Sequence, residues 1–398
     1  MININFSHYF GRSVSIFKAD IDKHDSEICE IVSSSSFLVL GAAGSVGQAV
    51  VKEIFRRNPV KLHLVDINEN NMTELVRDIR SSMGYVKGDF RTFILDIGSL
   101  EFDYFLNESS GYDYVLNLSA LKHVRSEKDK YTLMRMVKTN ILNTKKTVLQ
   151  SIKINAKKYF SVSTDKATAP VNLMGASKRV MELFLNYYSN KINISSARFA
   201  NVAFSDGSLL DGFKYRFIKR QPIVAPHDIK RYFISSEESG QLCLLSCLLG
   251  ENKDIFFPKL DSIDLIPIHE IAEKYIFEMG FKPKICKSED EARSLMGSSF
   301  RKGMWPLLQT ISDTTGEKPF EEFYGVKDNL DMNYFNNIGI IKNRLDDYDF
   351  DKLERFESQI KHMLKQKKWT KEEIISEFSL IIPELNYKDI GKYLDDKM

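Results

Sequence analysis

An acid and an amine stand side by side in the stretch SVSTDKATAPVNLMGASKR, which begins at Ser161. Asp165 and Lys166 follow an apolar segment with the pattern of a β-strand. In open α/β sheets, ligands bind at the carboxyl ends of the strands. A carboxyl and an amine at such a place can supply a general acid and a general base. A solvated pair of loop charges is the alternative that these residues alone leave open.

The second half of the same stretch predicts a helix that carries Lys178. A strand ending in Ser or Thr, followed by a helix with a lysine facing back, is the layout of short-chain dehydrogenases. Those enzymes normally have a tyrosine four residues before the lysine, whereas this chain has Met174. A thioether cannot act as a general base. Asp165 and Lys166 could therefore supply the acid and base that the tyrosine no longer provides.

A glycine-rich turn, GAAGSVG, directly follows the apolar segment FLVL and opens the amphipathic segment QAVVKEIFRR. Glycines allow the tight turn and the close approach of a pyrophosphate, and the start of a helix offers free N–H groups to phosphates. The predicted cofactor-binding turn consists of Gly41, Gly44, Ser45, Val46 and Gly47.

Asp66 ends the next predicted strand, 19 residues after Gly47. A carboxylate there can accept hydrogen bonds from both ribose hydroxyls and repels a 2′-phosphate. The sequence therefore predicts NAD rather than NADP. A plain turn followed by a surface acid is the alternative interpretation.

Strands and helices alternate from Phe37 to about Phe204, the pattern of right-handed crossovers in a parallel sheet. We predict an α/β fold: a doubly wound parallel Rossmann sheet of the extended short-chain dehydrogenase type, with a smaller C-terminal substrate lobe. The predicted division is an N-terminal arm or short helix (1–36), an NAD-binding domain (37–204), a mainly substrate-binding lobe (205–330) and a helical C-terminal extension (331–398). The polar residues 284–304 predict a loop or insertion, and Thr370 to Glu373 a capping box.

Composition excludes several classes of protein. With 56 Lys and Arg against 54 Asp and Glu, the net charge of +2 gives no electrostatic case for a nucleic-acid partner. No apolar run approaches the ~18 residues of a membrane span, so we expect a cytoplasmic protein. Cys243 and Cys247, four residues apart on one predicted helix, are interpreted as buried thiols, and we expect no metal site.

Five segments resemble the capsular-polysaccharide branch of the extended short-chain dehydrogenases, which contains the UDP-N-acetylglucosamine 4,6-dehydratases. These segments are NLSALKHV, STDKATAPVNLMGASKR, RFANV, KRYFISSEESGQL and TTGEKPFEEF. The resemblance runs from about Phe37 to Phe323. It departs at Leu118-Ser119, where the family usually has Ala-Ala, and at Phe204 to Gly207, where it has Gly-Ser-Arg-Gly.

The resemblance implies roles for the residues around Asp165 and Lys166. Lys166 would be the base at carbon 5 of the sugar, and Asp165 the acid that protonates the leaving hydroxyl. Thr164 would bind near carbon 4, Lys178 would hold the nicotinamide ribose, and Met174 would fill the tyrosine site.

It also implies the contacts to cofactor and substrate. Asp96 and Ile97 would border the adenine, and Ala120 with Lys122 would line the nicotinamide side, where Lys122 also faces the substrate. Asn201 and Arg231 would contact the nucleotide diphosphate, a role that suits a guanidinium.

The implied function is that of an NAD-dependent 4,6-dehydratase, which converts UDP-N-acetylglucosamine to a UDP-4-keto-6-deoxy-N-acetylhexosamine for a surface glycan. The alternatives are a dehydratase that also inverts carbon 5, a nucleotide-sugar 4-epimerase, and a non-catalytic NAD-binding protein that binds a partner through its charged C-terminal helices. A homo-oligomer is a further expectation, because the helices flanking the tyrosine-site segment often build a dimer in this family.

Overall fold

The computed structural model describes residues 9–261, 264–300, 302–312, 321–342, 350–389 and 391. Its centre is a nine-stranded sheet, in which seven neighbouring strands are parallel and two further strands add an antiparallel edge. In spatial order the strands are β15 (Leu330–Asp331), β16 (Ile338–Ile341), β11 (Ile255–Pro258), β6 (Asn193–Phe199), β5 (Lys158–Thr164), β4 (Tyr114–Asn117), β1 (Ser36–Leu40), β2 (Lys61–Asp66) and β3 (Asp89–Ile94). The predicted doubly wound parallel sheet is confirmed.

Helices cover both faces of the sheet, and each face has its own apolar core. On one face lie α1 (Lys18–Ser33), α2 (Ser45–Phe55), α3 (Glu69–Ser82) and α9 (Ser236–Leu249). On the other lie α4 (Leu100–Glu108), α5 (Lys130–Val137), α6 (Asn143–Lys153) and α7 (Leu173–Tyr188). A π-helical turn (Lys138–Leu142) joins α5 to α6. Cys243 and Cys247 are fully buried in α9, as predicted.

A smaller lobe contains a three-stranded parallel sheet and a separate core around Tyr275 and Trp305. Its elements are α8 (Leu209–Ile218), β8 (Ile223–Pro226), α10 (Ile268–Glu278), β13 (Lys282–Cys286), α11 (Glu289–Phe300) and β14 (Met304–Thr310). Two short ladders pair β7 (Asn201–Val202) with β10 (Phe233–Ile234), and β9 (Lys230–Arg231) with β12 (Ile266–Pro267). The prediction of a loop at 284–304 is therefore wrong, because this range contains most of β13, all of α11 and the start of β14. Its polar composition suits β13, an edge strand that buries only Cys286.

The structure also moves the predicted domain boundaries. Residues 18–33 form a helix, the second of the two expectations for this segment. Phe17, Ile28 and Val32 are buried in the core, so most of the described N-terminal segment belongs to the main domain. β11 and α9 fall in the range assigned to the substrate lobe but pack with the main sheet. β16 pairs with β11, so the helical extension begins after residue 342 and not at 331.

The last two helices, α12 (Phe350–Gln366) and α13 (Lys371–Ile381), form a unit that we call the C-terminal hairpin. Thr370 and Glu373 form the predicted capping box at the start of α13. The rings of Phe356 and Phe378 join the two helices at a centroid distance of 5.4 Å. Among the described residues, no helix is both long and apolar enough to cross a bilayer.

The hairpin packs against α5 and α7, and an ion pair joins it to α6. α6 and α7 are helices on which the expectation of a dimer rested. Glu357 forms an ion pair with Lys145, and the ring of Phe350 lies 3.8 Å from that of Tyr187. The chain therefore covers this part of α6 and α7 with its own residues. A dimer through the same face would require the hairpin to move.

Candidate functional site

The glycine-rich turn joins β1 to α2 with very little space around it. Gly41 has a φ of +76°, and a Cβ on Gly47 would lie 2.1 Å from the carbonyl oxygen of Gly41. Gly44 differs, because a Cβ there would meet only the Gly41 oxygen, at 3.7 Å. Gly44 also caps α2 without a side-chain hydrogen bond. The turn thus brings bare backbone and the N–H groups of a helix start to one open face, the arrangement that binds a pyrophosphate.

Asp66 lies at the end of β2, beside this turn. Its carboxylate accepts hydrogen bonds from the N–H groups of Ala43 (2.9 Å) and Asn68 (2.8 Å), which fix its orientation. A cavity of about 750 Å³ opens at this point. The predicted cofactor residues in its wall are Gly41, Gly44, Asp66, Asp96, Ile97 and Ala120. Its size is that of a typical small-molecule site.

Thr164, Asp165 and Lys166 form the turn at the carboxyl end of β5. The hydroxyl of Thr164 donates to Asp165 Oδ1 at 2.8 Å, and Lys166 Nζ lies 3.2 Å from the same oxygen. Asp165 is 3% exposed, whereas the Lys166 side chain is 29% exposed. An acid and an amine are thus in direct contact at the edge of the sheet where ligands bind, with the amine open to solvent.

α7 packs closely against this turn. A Cβ on Gly175 would lie 2.3 Å from the carbonyl oxygen of Lys166, so only glycine fits there. Lys178, one turn further along α7, donates to the carbonyl oxygen of Val162 at 3.0 Å, and burial lowers the pKa of Lys178 to about 8. Met174 is 4% exposed and lies in the apolar cluster on this face of the sheet. Its thioether fills space.

The two predicted diphosphate contacts meet at a residue that the sequence analysis missed, Glu321. Glu321 Oε1 accepts a hydrogen bond from Asn201 at 2.5 Å and lies 3.4 Å from Arg231 Nε. Burial, together with the negative charge of Asp165, raises the pKa of Glu321. Its other oxygen has no hydrogen-bond partner among the described residues. The only signal was the motif TTGEKPFEEF, whose residues 314–320 lie outside the described ranges.

The segment after β7 joins the remaining predicted residues. Lys122 Nζ donates to the Ser205 hydroxyl at 3.3 Å, and the N–H of Asp206 donates to the Ser45 hydroxyl at 2.8 Å. Val46 is partly buried against the core. The stretch 204–207 therefore touches both the start of α2 and the loop that follows β4, at the place where the chain departs from the family pattern.

Glu127 is a second residue that sequence analysis missed. It is fully buried, and its Oε1 accepts the N–H of Met174 at 2.7 Å, which caps the start of α7. Burial raises the pKa of Glu127 to about 7. Its surroundings in the sequence, RSEKDK, have the composition of a solvated loop and give no signal of a buried acid.

The sequence profile of the family described as "Polysaccharide biosynthesis protein" matches residues 37–342, which include every site residue described above. The chain belongs to this family. The matched range begins at β1 and ends just after β16, so the C-terminal hairpin lies outside it.

Curated relatives span a range of similarity. An uncharacterized membrane protein of Methanocaldococcus jannaschii is 33% identical over 269 residues, 65% of this chain and 77% of that protein. The capsular polysaccharide biosynthesis protein CapD of Staphylococcus aureus is 28% identical over 74% of this chain, which matches only 48% of CapD. A UDP-N-acetylglucosamine 4,6-dehydratase (inverting) of Campylobacter jejuni is 29% identical over 58% of this chain and 69% of that enzyme.

Among solved structures, Pen from Bacillus thuringiensis has a TM-score of 0.65 at 21% identity, over 79% of this chain and 89% of that chain. At this identity the likeness supports the fold alone. It agrees with the Rossmann architecture derived from the strand order.

The buried carboxyl of Glu127 predicts a pH-dependent stability. Its pKa of about 7 in the folded protein lies above the ordinary value of 4.5, so its contribution is fully present below about pH 4.5 and is lost as the pH rises through 7. Glu127→Gln cannot ionise and keeps an oxygen for the N–H of Met174. We expect the free energy of unfolding of Glu127→Gln, relative to wild type, to rise by about 2.5 kcal/mol from pH 5 to pH 8.

Urea unfolding at four pH values between 5 and 8 measures this difference. Glu108→Gln is the matched control, because Glu108 is exposed at the end of α4, and its curve should stay parallel to wild type. Parallel curves for Glu127→Gln as well would contradict a neutral, buried Glu127.

Proposed function

We propose that the protein is an NAD-dependent nucleotide-sugar 4,6-dehydratase that acts on UDP-N-acetylglucosamine. The observation that carries the proposal is the contact between Asp165 and Lys166, 3.2 Å apart at the carboxyl end of β5. A 4,6-elimination needs one group that removes a proton and another that protonates a leaving hydroxyl. A 4-epimerase has no evident use for such a pair.

The pair can prepare itself for both roles by one proton transfer. If Lys166 Nζ passes its proton to Asp165, the products are a neutral amine and a neutral carboxylic acid. The amine of Lys166 then takes the proton from carbon 5 of the sugar, and the acid of Asp165 protonates the carbon 6 hydroxyl, which leaves as water. Thr164, bonded to Asp165, orients the carboxyl toward the sugar.

The glycine-rich turn and Asp66 are the residues that would hold NAD. Backbone N–H groups at the start of α2 would face the diphosphate, and the Asp66 carboxylate would accept hydrogen bonds from the ribose hydroxyls. Lys178 is fixed on the carbonyl oxygen of Val162 and would donate to the nicotinamide ribose. When bound, NAD supplies the reversible acceptance and return of a hydride.

Glu321 adds a positioning role to the substrate side. It touches both Asn201 and Arg231, and burial together with the charge of Asp165 raises its pKa above the ordinary value of a carboxyl. Glu321 thereby holds the two side chains that would contact the diphosphate. The relative of Campylobacter jejuni supports the reaction class, and its description as inverting makes the configuration at carbon 5 the point to measure.

A direct assay tests the proposal. The pure protein is incubated with UDP-N-acetylglucosamine, and the product is analysed by mass spectrometry and proton NMR. In ordinary water we expect loss of one water, a new methyl doublet and no net rise in NADH absorbance. In heavy water we expect deuterium at carbon 5 and a methyl signal without that splitting. A hexose epimer without loss of water would identify a 4-epimerase, and NAD binding without turnover would identify a non-catalytic protein.

Lys166→Met tests the proposed base. The substitution keeps the bulk of the side chain and deletes the amine, so the variant should fold and bind NAD. Its kcat should fall by about 10²- to 10⁴-fold, the usual loss when a general base is removed. Met174→Tyr should give no comparable gain, because Met174 is 4% exposed and lies in an apolar cluster.

The two variants are decisive together. Near wild-type turnover in Lys166→Met, with strong acceleration in Met174→Tyr, would show that Lys166 is a solvated loop residue. The protein would then be a decayed form of a tyrosine-dependent enzyme.

Gly44→Ala and Gly47→Ala form a matched pair that tests the cofactor site. Gly44 has extended backbone and a free space for a Cβ, so Gly44→Ala should unfold at the wild-type temperature. Gly44 belongs to the cavity wall, so the new methyl group should hinder the cofactor. The affinity of Gly44→Ala for NAD, measured by calorimetry, should fall about tenfold or more. Gly47→Ala should lower the melting temperature, because its Cβ meets backbone atoms at 2.1 Å and 2.7 Å. If Gly44→Ala bound NAD with wild-type affinity, the assignment of this turn to the cofactor site would be contradicted.

A further inference from the structure

The turn of the C-terminal hairpin lies beside the first residues of α5. Trp369 Nε1 donates a hydrogen bond to the carbonyl oxygen of Lys130 at 2.9 Å. The ring of Trp369 also meets that of Tyr131 edge-on, with the centroids 6.4 Å apart. Trp369 is half-buried, and its indole is held in place by these two contacts.

Trp369 and Leu364 belong to the wall of the same cavity that Gly41, Gly44 and Asp66 line. The hairpin therefore supplies part of one wall, and the carboxyl edge of the sheet supplies another. Among the described residues, the wall includes no member of the turn Thr164–Ala167. The hairpin faces the adenosine and diphosphate end of the predicted cofactor site, away from the reacting sugar.

The two walls differ in chemistry in a way that fits one nucleotide. The sheet side presents the carboxylates of Asp66 and Asp96, which suit hydroxyl groups. The opposite side presents aromatic and apolar groups together with the cations Arg135 and Lys138, both of which are exposed. Tyr131 is 67% exposed although it lies in this wall. Aromatic rings and cations next to ribose-binding carboxylates suit a base and a diphosphate.

The hairpin is not part of the region that defines the family. The family profile ends at residue 342, and the hairpin begins at 350. Its contribution to the cavity is therefore a property of this chain's own extension. The packing of the hairpin on α5 and α7 explains how a segment far along the sequence reaches this wall.

We propose that the C-terminal hairpin is a working part of the NAD site, in which Trp369 and Leu364 close the adenosine end and retain the cofactor. This inference rests on the proposed binding of NAD. It assigns the two residues to affinity for the cofactor and not to the chemistry at Lys166.

Calorimetric titration of nucleotide-free protein with NAD tests the assignment. Trp369→Ala should raise the Kd for NAD by about 10- to 100-fold, the range expected when one aromatic contact to a base is removed. Leu364→Ala should raise it by a smaller factor. Leu380→Ala is the matched control for Leu364→Ala, because Leu380 is an exposed leucine of the same hairpin outside the cavity wall, and its Kd should equal that of wild type. At saturating NAD, the control Leu380→Ala should keep the wild-type kcat.

Tryptophan fluorescence gives an independent measurement. The chain has two tryptophans, and the other one, Trp305, is buried in the smaller lobe. NAD should change the emission of the wild type but not that of Trp369→Phe. This conservative variant keeps a ring in the wall and so also serves if Trp369→Ala fails to fold.

The outcomes separate the two proposals. The role of the hairpin would be overturned if the Kd for NAD were unchanged in Trp369→Phe, Trp369→Ala and Leu364→Ala and if NAD did not change the tryptophan emission of the wild type. The dehydratase proposal would then remain intact. A wild-type protein that binds no NAD would overturn both. An equal loss of affinity in Leu380→Ala would show that the hairpin acts only through general stability, which also contradicts the inference.

Discussion

A buried ion pair between Arg198 and Glu182 is the interaction on which the arrangement of the site depends. Arg198 on β6 is fully buried and bonds both carboxylate oxygens of Glu182 on α7, at 2.9 and 2.7 Å. It also donates to Thr168, just after the Asp165–Lys166 turn, and to the carbonyl oxygen of Phe323, two residues after Glu321. One guanidinium thus joins the sheet, the helix and the two acid-bearing segments. Since removing one partner leaves a buried charge, such a pair fixes geometry more than it adds stability.

This linkage explains why residues far apart in sequence form one site. The turn after β5 is held from below by Arg198 and from the side by α7, whose Gly175 allows the close approach. The segment that contains Glu321 is held by the same arginine. Asp165 and Glu321 are therefore near enough to affect each other electrostatically, and the pKa of Glu321 rises partly for that reason. Asn201 and Arg231 then find their partner in Glu321.

Sequence patterns predicted what depends on short-range order. The glycine spacing of the first turn, the acid at the end of β2 and the apolar strands are local features, and they located the fold and the cavity residues. Burial created by distant packing was not visible. Glu127 lies in a highly charged stretch, yet it is fully enclosed, because the start of α7 needs an acceptor for its N–H groups. Residues 284–304 looked like a polar loop, because an exposed edge strand and a short surface helix need few apolar residues.

The hairpin beyond residue 342 determines where the chain can be truncated without damage to the fold. A fragment cut at the limits of the family match would lose Leu364 and Trp369 from the cavity wall. It would also uncover apolar side chains of α7, such as Phe184, that now lie in a shared core with Phe356 and Ile360. Exposed apolar surface of this kind promotes aggregation. Homology limits and folding limits therefore do not coincide in this protein, and only the longer piece is a sound unit for expression.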